Sequence, residues 1–160
     1  MYKIETPETE ADFDAYFDFR WEMLRKPWNY PQGSEKDEYE QVSEHRMIRN
    51  NKGDVIAIGR VHMNNSEEAQ IRHIAVANEA QGRGLAKMIM SSLEAVARQE
   101  GAVRMVTNSR ELSTPFFESC GFEVEKEASA ELGKLKRQQM VKRLLEHNSI
   151  LLHPKWCKEL

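Results

Sequence analysis

Apolar positions near the start of the chain recur at helical spacing. Phe13, Phe17, Trp21 and Leu24 stand four, four and three residues apart, which puts them on one helix face. Thr6-Pro7 supplies an entry to that helix, a capping hydroxyl followed by a proline suited to the first turn. Pro27 ends it. Tyr2 to Glu5 read as a short edge strand. Beyond an aromatic, loop-like stretch from Trp28 to Gly33, Ser34 and Asp37 have capping-box spacing and predict a short second helix.

From His45 the period falls to two. Arg46 to Arg49, the polar turn Asn50-Asn51-Lys52-Gly53-Asp54 and Val55 to Met63 read as an antiparallel hairpin. A second polar turn, Asn64 to Glu68, leads into a strand over Ala69 to Ala77. The helical period then returns from about Gly82 to Glu100, with Leu85, Ile89, Leu93 and Val96 on one face, and Gly101 is placed to end it in a left-handed conformation. Ala102 to Thr107 is predicted as strand, Thr114 to Cys120 as a short helix closed by Gly121, and Phe122 to Glu127 and Arg137 to Leu144 as the last strands. The expected order is β-α-α-β-β-β-α-β-α-β-β, an α/β (α+β) arrangement with no repeat and no linker before about residue 145.

Composition narrows the function. The 160 residues suit one domain. A net charge of −3 with interspersed signs argues against nucleic-acid binding. The basic group Lys134 to Arg137 with Lys142 and Arg143 is read as a solvated strand and turn. No apolar run approaches the roughly 20 residues that span a bilayer, and Met1 to Glu10 has no signal-peptide core. Cys120 and Cys157 make no disulfide framework, no CxxC or HExxH is present, and no metal site is expected. A cytoplasmic location is the simplest expectation.

The chemistry gathers where a strand meets a helix. Ile74-Ala75-Val76 is followed by Gln81-Gly82-Arg83-Gly84-Leu85-Ala86. Two glycines one residue apart let backbone approach a bulky anion, and the N–H groups of a first helical turn donate to it. A pyrophosphate is the natural guest, with Arg83 as a charge-assisted contact. A glycine pair of this kind also occurs merely to relieve crowding. A Rossmann loop is disfavoured because Lys87 holds the third glycine's place, and a P-loop because no G-K-[ST] follows.

At these residues the chain resembles the GNAT (general-control-related N-acetyltransferase) family. Gln81 to Ala86 matches its [Q/R]-x-x-G-x-[G/A] signature after a strand ending in Ala75-Val76, and Phe116 to Phe122 is similar to its F-Y-x-x-x-G-F segment. The resemblance covers about Met1 to Leu145. It implies a GNAT fold: a mixed, mostly antiparallel sheet of about six to seven strands, central strands splayed, helices on both faces. Phe19 to Pro27, with Gly33-Ser34-Glu35, further resembles the acetyltransferase half of bacterial proteins that join a GNAT domain to a hotdog-fold thioesterase. Trp156-Cys157-Lys158-Glu159-Leu160, in the C-terminal tail 146–160, then resembles the start of a connection to that second domain.

The resemblance implies acetyl-CoA as cofactor, with the pantetheine arm paired to Ile74, Ala75 and Val76, the pyrophosphate on Gln81, Gly82, Arg83, Gly84, Leu85 and Ala86, and Asn108, Arg110 and Phe117 as further contacts. The Val76 N–H would polarise the thioester carbonyl. The expected activity is direct transfer of an acetyl group, in a ternary complex, to an amine on a small molecule or peptide. The alternative is a non-catalytic CoA or acyl-CoA-binding module associated with a thioesterase. A thioesterase and a second copy of the chain, giving a homodimer, are the protein partners it suggests.

The usual catalytic groups are replaced. Where relatives place a tyrosine acid, this chain has Phe117, and where they place a carboxylate base it has Gln70; neither performs the task. The substitutes are Glu22, His62 and His73. His73 has the wrong side-chain parity on a regular strand and would need a bulge to join the site. Cys120 is expected in the core. Arg20, Arg25 and Lys26, beside Trp28 and Tyr30, are read either as a charged helix end or as a site for an anionic acceptor or acyl group.

Overall fold

A computed structural model of the chain describes residues 1–128 and 137–144. The tail from Glu146, Cys157 and Lys134 to Lys136 lie outside the described residues. Seven strands make one sheet in the order β1-β2-β3-β4-β5-β7-β6. They are β1 (Ile4–Glu5), β2 (Glu44–Arg49), β3 (Val55–Met63), β4 (Glu68–Val76), β5 (Arg104–Arg110), β6 (Glu123–Ala128) and β7 (Arg137–Arg143), with helices α1 (Glu10–Leu24), α2 (Leu85–Gln99) and α3 (Thr114–Ser119). No described helix is long and apolar enough to cross a membrane.

Two sequence expectations fail locally. The cap of α1 is Thr9, not Thr6: Thr9 and Asp12 form the reciprocal capping box, the Asp12 amide donating to Thr9 Oγ1 at 3.0 Å and the Thr9 amide to Asp12 Oδ2 at 3.2 Å. The helix predicted after Ser34 does not form, and only a 3₁₀ turn, Glu40–Val42, appears. Asp37 Oδ1 instead accepts from the Tyr39 amide at 2.9 Å and from Arg60 at 2.8 Å. No apolar run at helical spacing follows to reward a helix there.

The chain divides into two units. The first holds residues 1–62 and 71–96. Its core places Tyr16, Met47, Ile58 and Ala75 against Phe13, Phe17, Phe19, Met23 and Leu24. Phe13, Phe17 and Leu24 of the predicted face are used, whereas Trp21 stays outside this cluster and donates its indole N–H to the Tyr30 carbonyl at 3.0 Å. Two polar side chains on that helix, Tyr16 and Arg20, are nevertheless its most buried. Gly59 of β3 leaves no room for a side chain: a Cβ there would lie 2.4 Å from Ile89 and 2.7 Å from Ile74. That absence lets α2 pack flush on the strand.

The second unit holds residues 63–70 and those from 97 onward. Here β4 pairs in parallel with β5 from Glu68↔Arg104 to Gln70↔Val106. The ladder ends there, although β4 continues to Val76. β5 pairs antiparallel with β7 along its whole length, and β7 with β6. Gly101 adopts φ 92°, and the Ala102 amide closes on the Ala97 carbonyl at 2.9 Å, the expected left-handed helix end. Arg104 grips both oxygens of Glu125 and reaches Glu68 Oε1 at 2.9 Å.

Candidate active site

Gly82 and Gly84 have φ 81° and 78°, and a Cβ on either would meet nothing within 4 Å. The glycines are therefore conformationally required and leave the backbone open on its outer side. The first helical bond runs from the Met88 amide to the Gly84 carbonyl at 3.0 Å, so the amides of Leu85, Ala86 and Lys87 precede the intrahelical ladder. Open backbone plus free helical donors is what a pyrophosphate requires. Gln81 secures the approach, its Nε2 donating to the Val76 carbonyl at 3.2 Å. Arg83 Nη1 donates to the Tyr2 hydroxyl.

Behind this loop, β4 is deformed at His73, a non-glycine residue at φ 61°. On a regular strand, consecutive side chains point to opposite faces. Here both Arg72 Nη1 and His73 Nε2 lie 3.8 Å from Asp37 Oδ2. His73 has the strand parity of the buried Ala69, Ile71 and Ala75 and is itself 4% exposed, and the left-handed turn is the irregularity at which it and Arg72 reach the same carboxylate.

That interior is charged. Glu40 Oε2 accepts from Arg20 Nη1 at 2.7 Å, Arg60 Nη1 at 2.9 Å and the Asp37 amide at 3.0 Å. Arg20 also donates to the Glu35 carbonyl and to the Tyr16 hydroxyl, each at 3.1 Å. Both guanidinium groups are fully buried. Arg20 is thus committed to a structural pair, while Arg25 and Lys26 stand at the end of α1. Arg25 Nε donates to the Ser34 carbonyl and Lys26 lies over the Trp21 ring. The Tyr16 phenol, pushed up to about 12 by burial, stays neutral. Its one proton has two acceptors in reach, His45 Nδ1 at 2.8 Å and the Gly59 carbonyl at 3.1 Å.

The three proposed catalytic side chains are scattered in character. Glu22 is exposed on α1. His62 is buried, stacked on Tyr39 with ring centroids 4.3 Å apart, and its Nδ1 lies 3.4 Å from Arg60 Nη2. Burial holds the His73 imidazole well below its ordinary value, with Arg20, Arg60 and Arg72 acting the same way against Asp37. Burial works to raise the Asp37 carboxyl, but His73, Arg60 and the Tyr39 amide outweigh it and hold the group far below the carboxylate range. In the second unit, Asn108 and Arg110 lie on β5 opposite Gln139 and Arg137. Phe117 is buried edge-on to Phe122, their centroids 5.6 Å apart, and Cys120 caps α3 half-buried. The Gln70 carboxamide oxygen accepts from Asn64 at 3.0 Å.

A pH dependence follows from His73. Unfolded, the imidazole takes a proton as pH falls through about 6.5, whereas folded it resists until well below. Its contribution to stability is therefore complete above pH 6.5 and lost as pH falls beneath it, at a slope approaching about 1.4 kcal/mol per pH unit for one proton. His45, lowered first by its own burial, adds in the same sense. Urea unfolding between pH 5 and 7.5 should show this slope, and His73→Asn, which tolerates positive φ, should flatten it. An unchanged slope would place His73 outside the titration.

Comparison with known proteins agrees with the geometry. The acetyltransferase (GNAT) family model matches residues 13–122. An uncharacterized N-acetyltransferase of Bacillus subtilis, YjcF, is 31% identical over 111 residues, 69% of this chain and 77% of its own. Among solved structures, Escherichia coli ElaA superposes with a TM-score of 0.73 at 16% identity, covering 89% of this chain and 100% of its own. A GNAT family acetyltransferase from Elizabethkingia anophelis with acetyl-CoA bound gives 0.65 at 15% identity, covering 89% and 98%. The chain belongs to the GNAT acetyltransferase family. It is an N-acetyltransferase of that class, and the family's acyl donor is acetyl-CoA.

Proposed function

We propose that the chain moves an acetyl group directly from acetyl-CoA to a primary amine of a small molecule or peptide, in a ternary complex. The observation that carries this is the juxtaposition of Ile74–Val76 with the open loop at Gly82 and Gly84. Ile74, Ala75 and Val76 would pair with the pantetheine arm, and the Val76 N–H would polarise the thioester carbonyl. Gln81, Gly82, Arg83, Gly84, Leu85 and Ala86 would receive the pyrophosphate, with Arg83 leaving Tyr2 to do so. Asn108, Arg110 and Phe117 are proposed as further cofactor contacts.

The reaction needs a neutral amine. Its nitrogen attacks the carbonyl carbon, the new C–N bond forms, the C–S bond breaks, and the leaving thiolate takes up a proton in exchange for the one the nitrogen releases. Glu22, His62 and His73 are the side-chain candidates for that proton. The burial of both histidines favours a route through water over direct contact.

CoA at about 100 times its dissociation constant should stabilise the protein by about 2.7 kcal/mol, a rise in Tm of roughly 5–10 °C for a domain of this size. No shift at millimolar CoA would sink the proposal. Release of free thiol from acetyl-CoA across a panel of amines then tests transfer. Phe117, which has no hydroxyl, and the uncharged Gln70 favour one second reading, a non-catalytic CoA or acyl-CoA module serving an attached or separate thioesterase. CoA binding with silence across the whole panel would select that reading.

A further inference from the structure

Three polar atoms of the first unit share one predicament. Asp37 Oδ2, Glu40 Oε1 and His73 Nε2 are shielded from solvent and have no hydrogen-bond partner among the described residues. His73 Nε2 lies 3.8 Å from Asp37 Oδ2, and one ring nitrogen of His73 and one carboxylate oxygen each of Asp37 and Glu40 come within 4.8 Å of one another. The other oxygen of each carboxylate is occupied, Asp37 Oδ1 by Arg60 and Glu40 Oε2 by Arg20 and Arg60. The imidazole nitrogen and two carboxylate oxygens left over belong to side chains that gather in one place. Buried polar groups in native folds are almost always satisfied, so a common partner is required.

One water meets the requirement. It accepts from His73 Nε2–H and donates one hydrogen to each carboxylate oxygen, the three bonds typical of an internal water. A divalent cation finds a suitable donor set but not a suitable charge. Arg20 and Arg60 already neutralise Asp37 and Glu40, so the ion would leave two buried charges uncompensated. The neutral state of the buried ring agrees with the water.

His73 shows what the point holds in place. A left-handed backbone at a residue with a side chain is strained, and such strain persists only where the surroundings enforce it. This turn sits one residue before Ile74. We propose that His73 is a positioning residue for acyl transfer: its imidazole, moored to Asp37 and Glu40 through one internal water, holds the break in β4 that aims the peptide groups of Ile74–Val76 at the cofactor. The inference rests on the cofactor reading above.

The test uses the full chain. His73→Gly keeps positive φ without strain and removes the mooring. CoA affinity measured by calorimetry should fall about tenfold, with a similar fall in kcat/KM for acetyl-CoA and an unchanged KM for the amine. A purely structural role would lower Tm and leave the affinity of the folded protein alone, which would overturn the proposal. Long-range ¹H–¹⁵N spectra of the wild type at neutral pH should show His73 neutral with its proton on Nε2, a readout that stands even if the variant fails to fold. A proton on Nδ1, a charged ring, or one equivalent of zinc or manganese in the purified protein would each overturn it. Wild-type protein that ignores CoA fails the cofactor reading, whereas wild type and His73→Gly binding CoA equally fails only the mooring.

Discussion

Glu40→Ala should lower stability by about 3–5 kcal/mol, because it leaves two buried guanidinium groups without their shared counter-ion. In this structure Glu40 Oε2 is the meeting point of Arg20 and Arg60, both fully buried. Arg60 retains Asp37, but Arg20 is left with only a carbonyl and a hydroxyl. For a domain of this size the change corresponds to a fall in Tm of roughly 6–20 °C. Glu44→Ala is the control, since the Glu44–Arg46 pair lies at the surface with Glu44 54% exposed, and exposed pairs contribute little. Urea melts of the two variants compare them directly. Equal stability would mean that the buried charges relax into solvent and do not lock the segment.

Gly84→Trp should abolish CoA binding while leaving a folded protein. Its φ of 78° is costly for any side chain, by about 1–2 kcal/mol, and the indole would occupy the open face where a pyrophosphate must come close. Gly53→Trp separates the two effects: it has φ 87° and equally open surroundings, in the hairpin turn between β2 and β3. Both variants should lose a similar few degrees of Tm without ligand, and only Gly84→Trp should lose the rise with CoA. If Gly84→Trp binds within threefold of wild type, the glycine loop is not the pyrophosphate site.

Much of the fold was legible because it is written in local signals. The change from a helical to a two-residue period at His45, the Asn-Asn-Lys-Gly-Asp turn and the glycine after α2 each specify backbone that the structure adopts within a few residues. The glycine loop was legible for the same reason, since glycines at positive φ and a helix start are neighbours in sequence. The charged interior was not. Arg20, Asp37, Glu40 and Arg60 look in sequence like ordinary solvated residues, and only long-range contact turns them into one buried network. Ser34 and Asp37 misled because the serine that would have capped a helix donates its hydroxyl to the Pro31 carbonyl and the aspartate is held by Arg60. His73 was recognised as a residue that a bulge would redirect, but its destination, Asp37, depends on how a loop far away in sequence closes.

The two ends of the sheet bear on how the protein behaves when concentrated. An exposed strand edge is a template for pairing with another chain. At one end β1 contributes only two residues, too few to seed a stable ladder with a neighbour. At the other, β6 reads Glu-Val-Glu-Lys-Glu-Ala, a strand of mostly charged residues of the kind that blunts an edge. Growth of one continuous sheet across molecules is disfavoured at both margins, and any homodimer would be expected to form through side-chain surfaces instead of strand addition.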